Sequence, residues 1–239
     1  VIVVRSNRPD FPVGRTLPDD AQLQLGNGET VTILGAAGSR VFRGPGRFSP
    51  AAPVRAGARS RDPAASNRVG GITMSSLERG RPAYRWRRRR AMGGAIGGVV
   101  GSLVGYGRAV TEPAIWDVAV AQGGTICLRP AGADSFWRGD ARAEQTLTVT
   151  GPDGAAHTLT WPAGQRLLAW PADLAAADGA EYALQLSGAA AASRIRVALL
   201  AADPAEPRDA AASFIEKGCQ HQLDRLIEAT LEPEPAPAL

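Results

Sequence analysis

The chain has 239 residues, 44% hydrophobic but only 5% aromatic, and its 28 glycines and 18 prolines favour turns and irregular connections over long helices. Its net charge of +4 conceals a split: residues 40–90 hold fourteen arginines against only Asp62 and Glu78, about +12, which leaves about −8 for the rest. A uniformly basic, polyanion-coating protein is therefore excluded, and the length allows one large domain or two small ones, each able to bury a core.

The first fifty residues read as short strands and turns. Val1 to Arg5 is a β-branched run interrupted at Asn7-Arg8-Pro9-Asp10. Ala21 to Leu25 alternates apolar and polar, Gly26-Asn27-Gly28 supplies a turn, Glu29 to Leu34 alternates again, and Val41-Phe42-Arg43 follows a second turn. Period-two alternation broken by Gly and Asn predicts an antiparallel meander with one face in water.

The segments Val13-Gly14-Arg15-Thr16-Leu17 and Ala21-Gln22-Leu23-Gln24-Leu25-Gly26-Asn27-Gly28-Glu29-Thr30-Val31-Thr32-Ile33-Leu34 resemble the FecR-type periplasmic β-domain. In that family a Gly-x-x-Leu entry precedes a strand, a Gly-Asp/Asn-Gly turn and a second strand. The likeness spans roughly residues 10–50 and lacks the family's long run of further repeats. It implies a periplasmic module that relays or assembles rather than one that catalyses, and it carries over no functional residue.

Residues 45–80 show no periodicity and read as an exposed connection. Beyond it, Arg81-Pro82-Ala83-Tyr84-Arg85-Trp86-Arg87-Arg88-Arg89-Arg90 abuts an uncharged run over 91–107 in which Gly93, Gly97, Gly101 and Gly105 fall four apart. That spacing is similar to the glycine zippers of small bacterial envelope proteins, where bare backbone permits close approach. The uncharged run is shorter than the ~20 residues a helix needs to cross a bilayer. An interface is accordingly preferred to insertion, with membrane contact through the arginines and Trp86 as the other use. Arg tracts with an interleaved Trp also suit nucleic-acid phosphates, but the acidic remainder opposes that reading.

From Pro113 to Ala202 the strand signal returns, at Trp116–Ala121, Thr125–Arg129, Ser135–Arg138, Gln145–Thr150, His157–Trp161, Arg166–Trp170, Glu181–Leu186 and Arg194–Leu200. Gly151-Pro152-Asp153-Gly154 marks a hairpin. Seven or eight short strands in about ninety residues predict an immunoglobulin- or fibronectin-like sandwich. Asp178-Gly179-Ala180-Glu181-Tyr182 resembles the turn and tyrosine entering a late strand of such folds, where the hydroxyl anchors nearby backbone. Phe214, Ile215, Cys219, Leu223, Leu226, Ile227 and Leu231 recur at helical spacing and predict one amphipathic helix within 203–232, with Gly218 inside it.

The expected organisation is therefore mainly β: a FecR-like β-module over 1–50, an Arg/Gly-rich linker and zipper over 51–110, a sandwich over 111–202, a packed C-terminal helix over 203–232 and a disordered tail over 233–239. Cys127 and Cys219 are the only cysteines, without CxxC or Cys/His spacing, so a zinc site is not expected. In an oxidising compartment they would staple the helix to the sandwich. The chain opens on Val1 with no basic–apolar leader, which reads as a mature product or a trimmed chain and fits export.

His157 and His221 sit in different predicted elements, and no nucleophile elbow, Walker loop, HExxH or EF-hand loop occurs. An enzyme would need a pocket gathering residues such as Asp117, His157 and Asp173. The Arg138-Gly139-Asp140 tripeptide is read as chance. The expectation is a non-enzymatic, cofactor-free, metal-free periplasmic or exported protein. It would associate with other protein subunits through Arg85, Trp86, Arg87, Arg88, Arg89, Arg90, Gly93, Gly97, Gly101 and Gly105. A FecR-like signalling role and nucleic-acid binding are the alternatives.

Overall fold

The computed structural model describes residues 1–50, 72–78, 112–130, 134–171 and 173–231. Most of the expected linker, all ten arginine, tryptophan and glycine positions proposed for interaction, and the tail at 233–239 lie outside them. Among the described residues the fold is mainly β, with thirteen strands and three helices.

The first fifty residues form β1 (Ile2–Ser6), β2 (Leu23–Leu25), β3 (Thr30–Gly35), β4 (Gly38–Arg43) and β5 (Gly46–Phe48). Strands β1, β3 and β4 make an antiparallel sheet in that order, and β2 pairs with β5. Alternation drives this: Leu23 and Leu25 are buried while Gln24 between them is exposed. Val3, Leu17, Leu23, Leu25, Val31, Ile33 and Phe42 form a local core. Arg8 clamps Glu29 with two bonds of 2.7 Å. The Gly26 amide, followed by Arg8, holds the Glu29 carboxyl below its usual range.

The sandwich comprises β6 (Asp117–Ala119), β7 (Gly124–Leu128), β8 (Ser135–Trp137), β9 (Gln145–Thr150), β10 (Ala156–Trp161), β11 (Leu167–Ala169), β12 (Glu181–Leu186) and β13 (Ser193–Leu199). A five-stranded sheet, ordered β10-β9-β12-β13-β7, faces a three-stranded sheet, ordered β11-β8-β6. Val118 and Phe136 from the smaller sheet meet Ile126, Leu147, Val149, Trp161, Leu184, Ile195 and Val197 from the larger, a core built from the inward half of each alternating strand.

All eight strands fall where alternation predicts them, and so does the hairpin. Gly154 takes φ 80°, the Gly151 amide bonds the Ala155 carbonyl at 2.9 Å, and Asp153 accepts from the Ala155 amide at 3.0 Å. The Tyr182 hydroxyl donates to the Ala175 carbonyl at 2.8 Å and accepts from the Ala177 amide at 3.1 Å, the backbone anchor expected of it.

Arg138 is only 1% exposed. Its guanidinium donates to the Gln165 and Pro162 carbonyls and to Gln145 Oε1, and it lies 5.0 Å from the Trp161 ring centre. The Arg-Gly-Asp tripeptide is thus not displayed as an adhesion ligand: its arginine is an interior tie.

The helical end differs from the single helix expected. Two helices, α2 (Pro207–Lys217) and α3 (Gln220–Thr230), meet at Gly218, and a short α1 (Met74–Glu78) precedes the sandwich. Gly218 adopts φ 75°, its amide bonds the Ile215 carbonyl, and the Cys219 amide bonds the Phe214 carbonyl. This pair of backward bonds with a left-handed glycine is a helix stop, and it turns the apolar stripe through a corner. Ile2, Val4 and Leu34 from the first module, Met74 from α1, Cys127, Ala198 and Leu200 from the sandwich, and Phe214, Leu223, Leu226 and Ile227 from the helix pair share one apolar cluster. The helices therefore act as a wedge between the two β portions.

Candidate interaction groove

The wedge is fastened at one point. Cys127 on β7 and Cys219 at the α2–α3 corner are both fully buried, with Cα atoms 5.8 Å apart and sulfurs at bonding distance, 1.92 Å. Beside the bond, Gln222 on α3 is 1% exposed. Its Oε1 accepts the Cys127 amide at 2.6 Å and its Nε2 donates to the Cys127 carbonyl at 2.8 Å. The side-chain amide thereby imitates a neighbouring strand and satisfies the free edge of β7.

One turn on, Arg225 does the same for β6. Its Nη1 donates to the Asp117 carbonyl at 2.7 Å and to the Ala114 carbonyl at 3.1 Å, while Nη2 donates to Gln122 Oε1 at 2.7 Å. Burial lowers the Arg225 pKa, against the opposing pull of Asp117 and Glu228. A guanidinium is the cation that stays charged under such desolvation.

Alongside these contacts lies a cavity of about 600 Å³. His221, Asp224, Arg225 and Glu228 line it from α3, where spacings of three and four residues place them on one face. Glu112 to Trp116 and Leu77 of α1 complete it. Asp224 is engaged by Arg5. Glu112 and Glu228 form no salt bridge among the described residues, and the rim is net acidic over an apolar lining. Trp116 is 4% exposed, packs edge-on against Phe214 at 5.3 Å, and has no partner for its indole N–H among the described residues. Arg129 lies 5.0 Å from the same ring and its Nε sits 3.2 Å from Asp134 Oδ1. Burial pushes the Asp134 carboxyl up, against the pull of Arg129.

Leu77 and Glu112, close to either end of the sequence segment 79–111, both line this groove. The sequence reading missed Trp116, Gln222 and Arg225 as a set. Nothing in the spacing of one helix reveals that two of its polar residues cap strands about a hundred positions earlier.

The cysteines are brought together as expected. Of the residues an enzyme was expected to gather, His157 Nδ1 lies 3.8 Å from Asp173 Oδ2, an exposed carboxylate. Asp117 is on β6 of the other sheet, 2% exposed, with its Oδ2 accepting from the Ala114 amide at 2.8 Å. His221 is on α3. No family model, curated protein or solved structure matches this chain.

Among the described residues no group of three or more His, Cys, Asp or Glu is arranged to hold a metal ion. No helix among them is long and apolar enough to cross a membrane.

Proposed function

We propose that the protein is a non-enzymatic cell-envelope component, periplasmic or exported, that assembles with other protein subunits through residues 85–105. The observation that carries this reading is the placement of Leu77 and Glu112 on one groove of a cross-braced frame. Between them, residues 79–111 carry eight arginines and no acidic residue. This cationic, glycine-spaced sequence is opposite in charge to the net acidic rim that its two flanking residues line, so the chain offers a partner both kinds of chemistry. The disulfide behind that surface supports an oxidising compartment. The FecR-like pattern of residues 10–50 agrees with the periplasm.

Deleting residues 85–107 from the full chain tests the reading. The expected result is unchanged near-ultraviolet dichroism and an intact disulfide, with loss of co-purifying subunits and of any membrane retention. A truncated protein with unchanged size and partitioning overturns it. Nucleic-acid binding, the competing use of the arginines, predicts instead an affinity for DNA or RNA that falls steeply with salt and vanishes when Arg87, Arg88, Arg89 and Arg90 are replaced by alanine.

A further inference from the structure

Strand edges are sites where one chain recruits another, and folded proteins normally block them. In this fold the edges are blocked one by one. The outer side of β1 is covered by residues 14–17, with the Val3 amide on the Arg15 carbonyl at 2.9 Å and the Gly14 amide on the Val3 carbonyl at 2.8 Å. The outer side of β4 carries Arg40 and Arg43 and a bridge from Ser39 to Leu231. Gln222 caps β7 and Arg225 caps β6. Strands β2, β5 and β11 are three residues long.

Strand β10 is the exception. Its six residues, Ala156-His157-Thr158-Leu159-Thr160-Trp161, contain no acid, lysine, arginine or proline, and pair with β9 in unbroken register. It forms one border of the five-stranded sheet. The direction of its backbone groups follows from its neighbours. The Ser187 amide bonds the Thr146 carbonyl, so Thr146, Thr148 and Thr150 of β9 turn their backbone toward β12. Gln145, Leu147 and Val149 then bond Trp161, Leu159 and His157 of β10. The Gly151–Ala155 bond of the hairpin has the same phase. Ala156, Thr158 and Thr160 are left with amides and carbonyls pointing away from the sheet, and all three residues are exposed.

We propose that β10 is a self-association strand: two copies of the chain pair antiparallel through it, centred on Thr158, and join two five-stranded sheets into one of ten. In that register Thr158 faces Thr158 of the other copy, and Ala156 faces Thr160. Three hydrogen-bonded pairs form, and each exposed face continues across the seam.

The strand's own chemistry selects a second copy as the occupant. A twofold pairing sets the central residue against itself, which a charged residue would resist, whereas threonine pairs across strands favourably. Because Gln222 caps the opposite border of the same sheet, pairing closes at a dimer instead of propagating into a filament. The surface shares no residue with the groove.

Cysteine cross-linking of the full chain under mild oxidation reads the register directly. Thr158→Cys should yield a covalent dimer, since facing Cα atoms at a hydrogen-bonded pair stand ~5.5 Å apart, within disulfide reach. Thr160→Cys alone should not, whereas a mixture of Ala156→Cys and Thr160→Cys chains should. Sedimentation velocity at 0.5 M salt, which suppresses arginine-driven contacts, should show wild-type self-association. It should weaken about tenfold or more in Thr158→Pro, which removes both central donors while leaving the bonds to β9 intact. A monomeric wild type, or equal cross-linking by Thr158→Cys and Thr160→Cys, overturns the proposal. Loss of partner binding on deleting 85–107, with cross-linking at Thr158→Cys retained, separates this strand from the assembly role proposed above.

Discussion

Replacing Gln222 by leucine should destabilise the protein far more than its modest chemistry suggests. Both polar ends of the side chain bond the backbone of Cys127, at 2.6 and 2.8 Å, in a site where Gln222 is 1% and Cys127 0% exposed. Leucine has a similar length and continues the α3 stripe, so the packing survives while one amide and one carbonyl are left buried without partners. Each such group costs about 1–3 kcal/mol. Allowing for the apolar surface gained, a net loss of about 3 kcal/mol is expected. For a chain of this size that corresponds to a fall of about 6–12 °C in Tm. Thermal unfolding by circular dichroism without reductant measures it, and hydrogen exchange at the Cys127 amide should accelerate in the same variant. Gln222→Glu keeps the acceptor, loses the donor and buries a charge, so its deficit should shrink on acidification as the carboxyl takes up a proton. A Gln222→Leu protein that melts within 1 °C of wild type, with Cys127 still protected, would refute the edge-capping argument.

Four further outcomes are expected. Replacing Cys127 and Cys219 together by alanine opens a link across 92 positions and should lower stability by up to about 4.6 kcal/mol in the chain-entropy account, read as a shift in urea midpoint; an unchanged midpoint contradicts it. Tyr182→Phe removes both backbone bonds of the hydroxyl and should cost about 1–2 kcal/mol, with faster exchange at the Ala177 amide. Gly218→Ala meets no atom within 4 Å but must hold φ 75°, so a purely conformational loss of about 1 kcal/mol should follow, and a neutral result would place the helix stop elsewhere. Asp134 has its pKa raised by burial, so its ionised form opposes folding at neutral pH. Wild-type stability relative to Asp134→Asn should therefore rise as pH falls from 7 through the raised folded value toward the unfolded one, ~3.9, and level off below it; a gap that is flat with pH would contradict the assignment.

The sandwich was legible because its strands obey period-two alternation and its turns use residues that few other conformations accept. Gly154 and the threonines flanking the hairpin are examples. Tyr182 and the cysteine pair were legible for a different reason: each needs only one partner, and the partner's element was already placed. What escaped were features built from single polar side chains reaching across the chain. Gln222 and Arg225 look like the solvent face of a helix until β7 and β6 are set beside them. Strand β5 and helix α1, at three and five residues, are too short to show a period. Gly218 was visible but read as a penalty inside one helix. The apolar spacing from Phe214 to Leu223 continues across it, so periodicity alone could not distinguish a corner from a straight run.

The wedge of α2 and α3 has a consequence for biogenesis. Ile2 and Val4 find part of their buried surroundings in Phe214, Leu223 and Ile227, and Arg5 reaches an aspartate 219 positions away. A nascent chain emerging from the ribosome or a translocation pore must therefore hold β1 without the helix-pair share of its cover until nearly everything else has been synthesised. During that interval the strand is the natural client of a holdase, and a premature stop anywhere before α3 would strand it there.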